Sequence, residues 1–334
     1  MRMRQRPWAI VLAAGEGTRL ATLTTSDHGY TVPKQFCSLN EGPSLLQQAL
    51  HRAQRIVPWQ QVCAIVARQH ERHWQNSLRL LPAKNVIVQP RNCGTANGVL
   101  LALLHVLERD PLAHIVFLPA DHYVHNEALL AEFVRTAARS VTGSRGGATL
   151  IGIEPDAADP DLGYIVPGPS DDDGTRCVAQ FVEKPNDTAA RALIARGAVW
   201  NSFIFWSKAA ALLALLRSRL PDIVEGMMSA FVRHREGDGR SRSLDEFYEH
   251  LAVIDFSRAV IQGTESAHRV STAPACGWTD LGTPRSVVQA LRKFGLAPSV
   301  SAPSIPAPLL NLSARQSSEV SLGMRCREQF LITG

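Results

Sequence analysis

The chain has 334 residues, 45% of them apolar and 19% charged, and its 35 Lys and Arg against 30 Asp and Glu leave a net charge of +5. That length suits two structural units, or one large α/β unit with an appendage, and the apolar content excludes chronic disorder. With 23 Gly and 20 Pro the chain is neither collagen-like nor of low complexity, no apolar run reaches the roughly 18 residues of a membrane span, and the scattered charge and the short basic start Met1-Arg2-Met3-Arg4-Gln5-Arg6 make no nucleic-acid arm.

In chain order, residues 8–14 read as a buried strand and 45–57 as a helix with apolar residues three and four apart. Residues 62–67 read as a strand, 70–81 as a helix, 85–89 as a strand, 98–107 as a strongly apolar helix, 114–120 as a strand, 127–140 as a helix and 148–153 as a strand. This alternation predicts an α/β, Rossmann-like fold with a mostly parallel central sheet and helices on both faces. Ligands of such sheets sit outside the carboxyl ends of the strands, so the loops after Ala14, Gln89 and Ala120 are expected to share one crevice. The arginine-rich start ahead of 8–14 mimics a secretion signal, but an apolar run of about seven residues is short for one.

Beyond residue 150 the pattern changes. Strands are expected at 163–169 and 177–185 around the acidic turn 171–174, and at 200–207. Helices follow at 208–217, 222–234 and 244–252, with a polar, Gly-rich loop at 235–243, a strand at 267–275 and a helix at 284–294. Residues 297–308 are rich in Pro, Ser and Ala and read as a linker, and 309–334 as a tail with some apolar content. The expected organisation is a unit over 1–295, with halves 1–150 and 151–295, followed by 296–334. No repeat of 20–50 residues is present.

The six cysteines, Cys37, Cys63, Cys93, Cys177, Cys276 and Cys326, make no CxxC pair. Neither zinc nor a disulfide framework is indicated, and reduced thiols suit a cytoplasmic protein. His105, His114, His122 and His125 have no metal-ligand spacing and read as structural or surface residues, and Trp8, Trp200 and Trp206 as core.

The segment richest in chemistry is Leu12-Ala13-Ala14-Gly15-Glu16-Gly17-Thr18-Arg19-Leu20, followed by Pro33-Lys34-Gln35-Phe36. A strand runs into a Gly-containing turn whose backbone N–H groups can approach phosphate oxygens, with Arg19 as a fork of donors and Lys34 as a point charge. No Gly-Lys-Ser/Thr follows, so it is not a Walker loop, and Leu20 breaks the dinucleotide GxGxxG pattern. Asp121 closes the 114–120 strand at the ligand edge, where it can ligate Mg²⁺ or cap the next helix. Asp280 sits in Gly277-Trp278-Thr279-Asp280-Leu281-Gly282-Thr283, where an Asx-turn is the alternative. Only five residues are Lys, which sets Lys184 apart in Glu183-Lys184-Pro185 at a strand end: an ammonium placed for a phosphate, or a surface ion pair. Glu183 can accept hydrogen bonds from hydroxyl groups of a ligand, and Asn201 inside an apolar strand is either a ligand or a satisfied amide.

These segments resemble, in order, those of the sugar-phosphate nucleotidyltransferases, most closely their mannose-1-phosphate guanylyltransferase branch, over roughly residues 7–295. The resemblance implies a Rossmann-like nucleotidyltransferase fold. It assigns Leu12, Ala14, Gly15, Gly17, Thr18, Arg19, Gln89, Asn92, Gly94 and Thr95 to the nucleotide and Gly163, Tyr164, Glu183, Lys184 and Asn201 to the sugar phosphate. Asp121 and Asp280 are implied as the Mg²⁺ pair, and Arg19, Lys34, Asp121, Lys184 and Asp280 as the catalytic set. The implied reaction takes GTP and mannose 1-phosphate to GDP-mannose and pyrophosphate, without nucleic acid or membrane and with a homodimer as a candidate assembly. A sister activity with another base or sugar, and a nucleotide-sugar-sensing subunit, remain as alternatives. Asp255-Phe256-Ser257 receives no role.

Overall fold

The computed structural model describes residues 7–25, 29, 31–39, 42–138, 147–171, 174–237 and 242–296. The expected basic start, the tip of the acidic turn, the middle of the 235–243 loop and the tail from 297 lie outside the described residues.

The first half alternates strands and helices as expected: β1 (Pro7–Ala13), a short α1 (Ala21–Thr24), α2 (Leu45–Ile56), β2 (Val62–Ala67), α3 (Glu71–Leu78), β3 (Val86–Gln89), α4 (Thr95–Leu107), β4 (His114–Pro119), the two-residue β5 (Tyr123–Val124), α5 (Glu127–Ala137) and β6 (Ala148–Ile153). The second half contributes β7 (Gly163–Ser170), β8 (Arg176–Glu183), α6 (Asp187–Ala195), β9 (Val199–Lys208), α7 (Ala209–Arg219), α8 (Pro221–Glu236), α9 (Ser243–Glu249), β10 (Arg269–Thr272), β11 (Trp278–Thr279) and α10 (Pro284–Lys293). The sequence reading has no counterpart for α1, α6, β5 and β11, and its strand over 267–275 shortens to β10. Helix α4 starts three residues before its expected position, because the Asn92 carboxamide accepts the Gly94 N–H at 3.0 Å and shapes the turn that leads into it.

Nine strands form one sheet in the order β3-β2-β1-β4-β9-β6-β10-β8-β7. Pairings β1–β2, β2–β3, β1–β4 and β6–β10 are parallel, while β9 lies antiparallel to β4, β6 and β7, and β8 antiparallel to β7 and β10. Seven strands therefore point one way and β8 and β9 the other, which makes the sheet mostly parallel, as expected. Because β7 also pairs with β9, the strands β9, β6, β10, β8 and β7 close a ring. Packing within it is close: a Cβ on Gly152 would collide with Val199, which favours glycine near the end of β6.

Alternation along the strands feeds two cores. From β1, Trp8 and Ile10 face a layer with α4, α7, α8 and α9. Ala9, Val11 and Ala13 face a layer with α2, α3, α5 and α6. Helices cover both faces, and Trp8, Trp200 and Trp206 are buried as expected. A smaller cluster joins Leu20, Val32 and Leu45 to Tyr123, Leu281 and Val287, tying the loop after β1 to α10. Among the described residues no helix is long and apolar enough to cross a membrane.

Candidate active site

The carboxyl ends of β1, β2, β3 and β4 open on a cleft of about 290 Å³ whose far wall is built by β7, β8 and β9. Its near wall begins where β1 stops. Gln35 donates from Nε2 to the carbonyls of Ala13 at 3.2 Å and Gly15 at 2.8 Å, fixing the loop after the strand. Gly17 turns that loop at φ 65°, and a Cβ there would sit 2.8 Å from the Lys34 backbone nitrogen. Outside the loop, Glu16 is held by Gln69 at 2.8 Å and His70 at 3.2 Å. Arg19 reaches across the cleft to Asp161, 3.3 Å away on the approach to β7.

The floor holds the two carboxylates. The antiparallel pair β5–β11 sets Val124 against Trp278 and Tyr123 against Thr279, and this brings the residues after β4 beside the 277–283 turn. Asp121 and Asp280 consequently line one cleft although 159 positions separate them. Lys34 lies beneath them, 4% exposed, with its Nζ 3.0 Å from Asp121 Oδ2 and donating to the carbonyls of Asp280 at 2.6 Å and Leu281 at 3.3 Å. Burial raises the Asp121 carboxyl, but Lys34 and His122 outweigh it and hold the group below the ordinary carboxylate range. Asp280 is 8% exposed, and burial lifts its carboxyl despite Lys34. The Gly282 N–H donates to Asp280 Oδ1 at 2.9 Å, the Asx-turn considered from sequence, and leaves Oδ2 to other partners.

At the end beyond β3, Gln89 is 1% exposed and its Oε1 is buried without a hydrogen-bond partner. Gly94 has φ 87°, and a Cβ there would collide with the Ile254 backbone. Ala96 donates to Ile254 O at 3.0 Å, Phe256 donates to Thr95 Oγ1 at 2.8 Å, and Arg91 grips the Tyr248 and Glu249 carbonyls. The segment Leu251–Phe256 is thereby strapped over this end.

At the opposite end, β8 delivers Glu183 and Lys184. Lys184 has φ 50° and its Nζ lies 3.8 Å from Glu183 Oε1. Burial pushes the Glu183 carboxyl up to about 7, with Asp255 adding to the rise and Lys184 and Arg258 opposing it. Gly163 brings the β7 backbone close to this carboxylate: a Cβ there would stand 2.6 Å from Glu183 Oε2. Asn201 is committed internally: Oδ1 accepts from the Phe203 N–H at 3.1 Å, and Nδ2 donates to Ser257 Oγ at 3.3 Å.

Of the residues marked from sequence, Leu12, Ala14, Gly15, Arg19, Gln89, Asn92, Gly94, Thr95, Asp121, Gly163, Glu183, Lys184, Asn201 and Asp280 line this single cleft. Four do not. Gly17 and Thr18 shape the loop behind the wall, and Lys34 supports the two Asp segments from below rather than facing the cleft. Tyr164 is a correction: it is wholly buried, because its neighbour Gly163 faces the cleft and strand alternation turns Tyr164 into the core. Its hydroxyl accepts the Asp159 N–H at 2.8 Å and donates to Asp159 O at 3.0 Å, so it anchors the loop that carries Asp161.

Gln35, Asp161, Phe203, Asp255, Ser257 and His122 also line the cleft; the sequence reading gave none of them a site role, noting Phe203 only as a residue that bears on the choice of sugar. His122, read as structural or surface, is mostly buried, pushed down to about 4 by that burial although Asp121 opposes the shift, and meets Trp278 edge-on. The available signals were the Asp-Pro-Asp-Leu run before Gly163 and an acidic residue at 255 next to a buried aromatic.

The donor set fits Mg²⁺. Two carboxylates face one cleft from a shared floor, and no group of three His, Cys, Asp or Glu among the described residues could enclose an ion without help. Mg²⁺ favours such partial protein ligation, one or two carboxylates completed by phosphate and water oxygens.

The profile of the nucleotidyl transferase family matches residues 8–295. A mannose-1-phosphate guanylyltransferase of Salmonella muenchen is 29% identical over 281 residues, covering 82% of this chain and 57% of its own length. Mannose-1-phosphate guanylyltransferase 2 of Escherichia coli O157:H7 is 30% identical over 293 residues, covering 84% and 58%. The chain thus spans somewhat more than half the length of these curated relatives. Among solved structures, a Thermus thermophilus protein named mannose-1-phosphate geranyltransferase superposes with a TM-score of 0.71 at 27% identity, covering 86% of this chain and 79% of that one. A Helicobacter pylori protein named mannose-6-phosphate isomerase shares the fold with a TM-score of 0.61 at 19% identity.

Proposed function

The chain belongs to the nucleotidyl transferase family, and from that premise we propose that it is a mannose-1-phosphate guanylyltransferase, taking GTP and mannose 1-phosphate to GDP-mannose and pyrophosphate. The observation that carries this reading is the single cleft in which Arg19, Asp121, Asp280, Glu183 and Lys184 meet, with an unpartnered buried amide oxygen at one end. The names of the relatives reported above support guanine as the base and mannose as the sugar.

In this reading Arg19 and the backbone N–H groups of the loop after β1 hold the triphosphate, exchanging Asp161 for phosphate oxygens. Gln89 Oε1 accepts from an N–H of the base, its unmet hydrogen bond being the reason to place the base there. Lys184 holds the sugar phosphate and aims its oxygen at the α-phosphorus, in line with the departing pyrophosphate. The attacking group belongs to the substrate, so no protein nucleophile takes part and the chain works by positioning and charge. Lys34 keeps the two Asp segments together from below. Asp121 and Asp280 would hold Mg²⁺, which when bound offsets charge on the reacting phosphates. The reaction requires neither nucleic acid nor membrane and belongs in the cytoplasm.

The test is pyrophosphate release with Mg²⁺ and each of GTP, ATP, UTP, CTP and dTTP against mannose or glucose 1-phosphate. Release with GTP and mannose 1-phosphate alone is the expected outcome. Release with a different pair moves the specificity, and no release with any pair overturns the reading.

A further inference from the structure

Three non-glycine residues have a positive φ among those described, Lys184, Phe203 and Leu281, and all three lie in or against the cleft. Lys184 follows the last residue of β8 and Leu281 belongs to the Asp280 turn. Phe203 belongs to neither, and a bulky aromatic side chain disfavours φ 57°. Such a conformation persists only where its surroundings impose it.

Those surroundings form a built device in the middle of β9. The register against β6 pairs Phe205 with Leu150 but Asn201 with Gly152, so Ser202, Phe203 and Ile204 stand opposite the single residue Ile151. A bulge of this kind re-aims a side chain beside a site. Two side chains stitch it in place. Asn201 Oδ1 accepts the Phe203 N–H, and Ser202, wholly buried, donates to Ile151 O at 2.6 Å while accepting the Ile204 N–H at 3.1 Å. The neighbouring rings show what the bulge achieves. Phe117, Phe205 and Phe256 stack face to face in the core, at interplanar angles of 18° and 8°. Phe203 stays out of that stack, meets Phe205 and Phe256 at 74° and 66°, and lines the cleft with Asn201, Glu183, Asp255 and Ser257.

We propose that Phe203 determines sugar specificity: its ring is the apolar platform on which the carbon–hydrogen face of the sugar in the sugar 1-phosphate rests. The proposal builds on the reading given under Proposed function and adds the group that selects the sugar. Glu183 and Lys184 supply charge and hydrogen bonds in the same cleft, and an apolar ring beside them completes the usual pairing of an aromatic wall with a few polar anchors. A pyranose meets such a surface with the face that carries the axial H3 and H5; mannose keeps its axial C2 hydroxyl on the other face, whereas a C3 epimer points an axial hydroxyl at the ring and leaves it without a partner.

The test compares the full chain with Phe203→Ala, Phe203→Leu and Phe203→Tyr, measuring KM for sugar 1-phosphate and for nucleotide separately, together with Tm. Phe203→Ala and Phe203→Leu are expected to raise KM for the sugar 1-phosphate about tenfold, leave KM for the nucleotide within twofold, and compress the preference between mannose 1-phosphate and its C3 epimer. Phe203→Tyr, which keeps the ring, should stay near the parent. Unchanged sugar KM and preference in all three variants would overturn the proposal, as would a parallel rise in both KM values tracking a fall in Tm. If the parent turns over no sugar 1-phosphate, the activity reading itself fails and this one with it. Turnover by the parent with an indifferent Phe203→Ala removes this inference alone.

Discussion

At the scale of single residues the site is governed by which charges are buried and what they face. Asp121 keeps a low carboxyl because Lys34 sits 3.0 Å away, so it stays anionic through the neutral range. Asp121→Asn is expected to lower kcat by about 10²–10³-fold while circular dichroism stays native, since one charge-stabilising contact contributes on that order. Near-normal turnover by the variant would remove Asp121 from the chemistry. Glu183 behaves in the opposite way. It titrates near 7 in the fold against an ordinary value of 4.5, so between those values the folded chain holds a proton that the unfolded chain has released. Its contribution therefore favours the fold below about pH 4.5, is lost as pH rises to about 7, and is level above, with a total on the order of 3 kcal/mol. Glu183→Gln should flatten the Tm-against-pH curve across that window, and a curve of unaltered slope would contradict the assignment. Residue types and motif order made most of the cleft lining readable from sequence. Tyr164 was not, because a Gly-Tyr pair does not say which of two alternating residues faces inward. Lys34 was recognised as a needed ammonium, but that it lies under the floor depends on contacts with residues some 250 positions away.

Among the elements, the decisive ones for the site are short. The pair β5–β11 has two residues on each strand, too few for any periodicity, yet it brings Asp121 beside Asp280. Helix α6 escaped detection for a related reason: after its Asn186 cap it buries only Ala190 and Leu193, so its apolar stripe is thin. The longer amphipathic helices and the apolar strands, α2, α4, β2 and β6 among them, were legible because burial dictates their pattern. The turn before α4 offers a test at this scale. Gly94→Ala would force a side chain into the Ile254 backbone at φ 87°. The expected cost is about 1–3 kcal/mol in denaturant unfolding, accompanied by a raised KM for nucleotide because the strap over Gln89 must move. An unchanged midpoint would mean that the 251–256 segment yields freely.

Over the whole molecule the two halves read from sequence are not separable bodies. Strand β9, from the second half, lies between β4 of the first half and β6, which spans the boundary, and both cores draw residues from each half. Which strand neighbours which is set by side-chain fit across the finished sheet, and a linear pattern does not record it. The expected consequence is one cooperative transition. Urea unfolding followed by far-ultraviolet circular dichroism and by tryptophan fluorescence should give coincident curves with a single midpoint. Two separated transitions, one for each half, would show that the shared sheet does not couple them.

The threading of β9 also bears on how the chain is made. Synthesis delivers β1 to β4 early, and their parallel sheet can form with α2, α4 and α5 packed on it. Its edge at β4 is then the run His114–Pro119, five of whose six residues are buried in the finished protein, with one side of its backbone hydrogen bonds unmet. That edge stays open until β6, β7, β8 and α6 have been synthesised and β9 arrives to close it. An apolar strand edge left open on a nascent chain invites pairing with other chains. The vulnerable period of this protein's life is therefore on the ribosome, and its length is set by the rate of translation between β4 and β9.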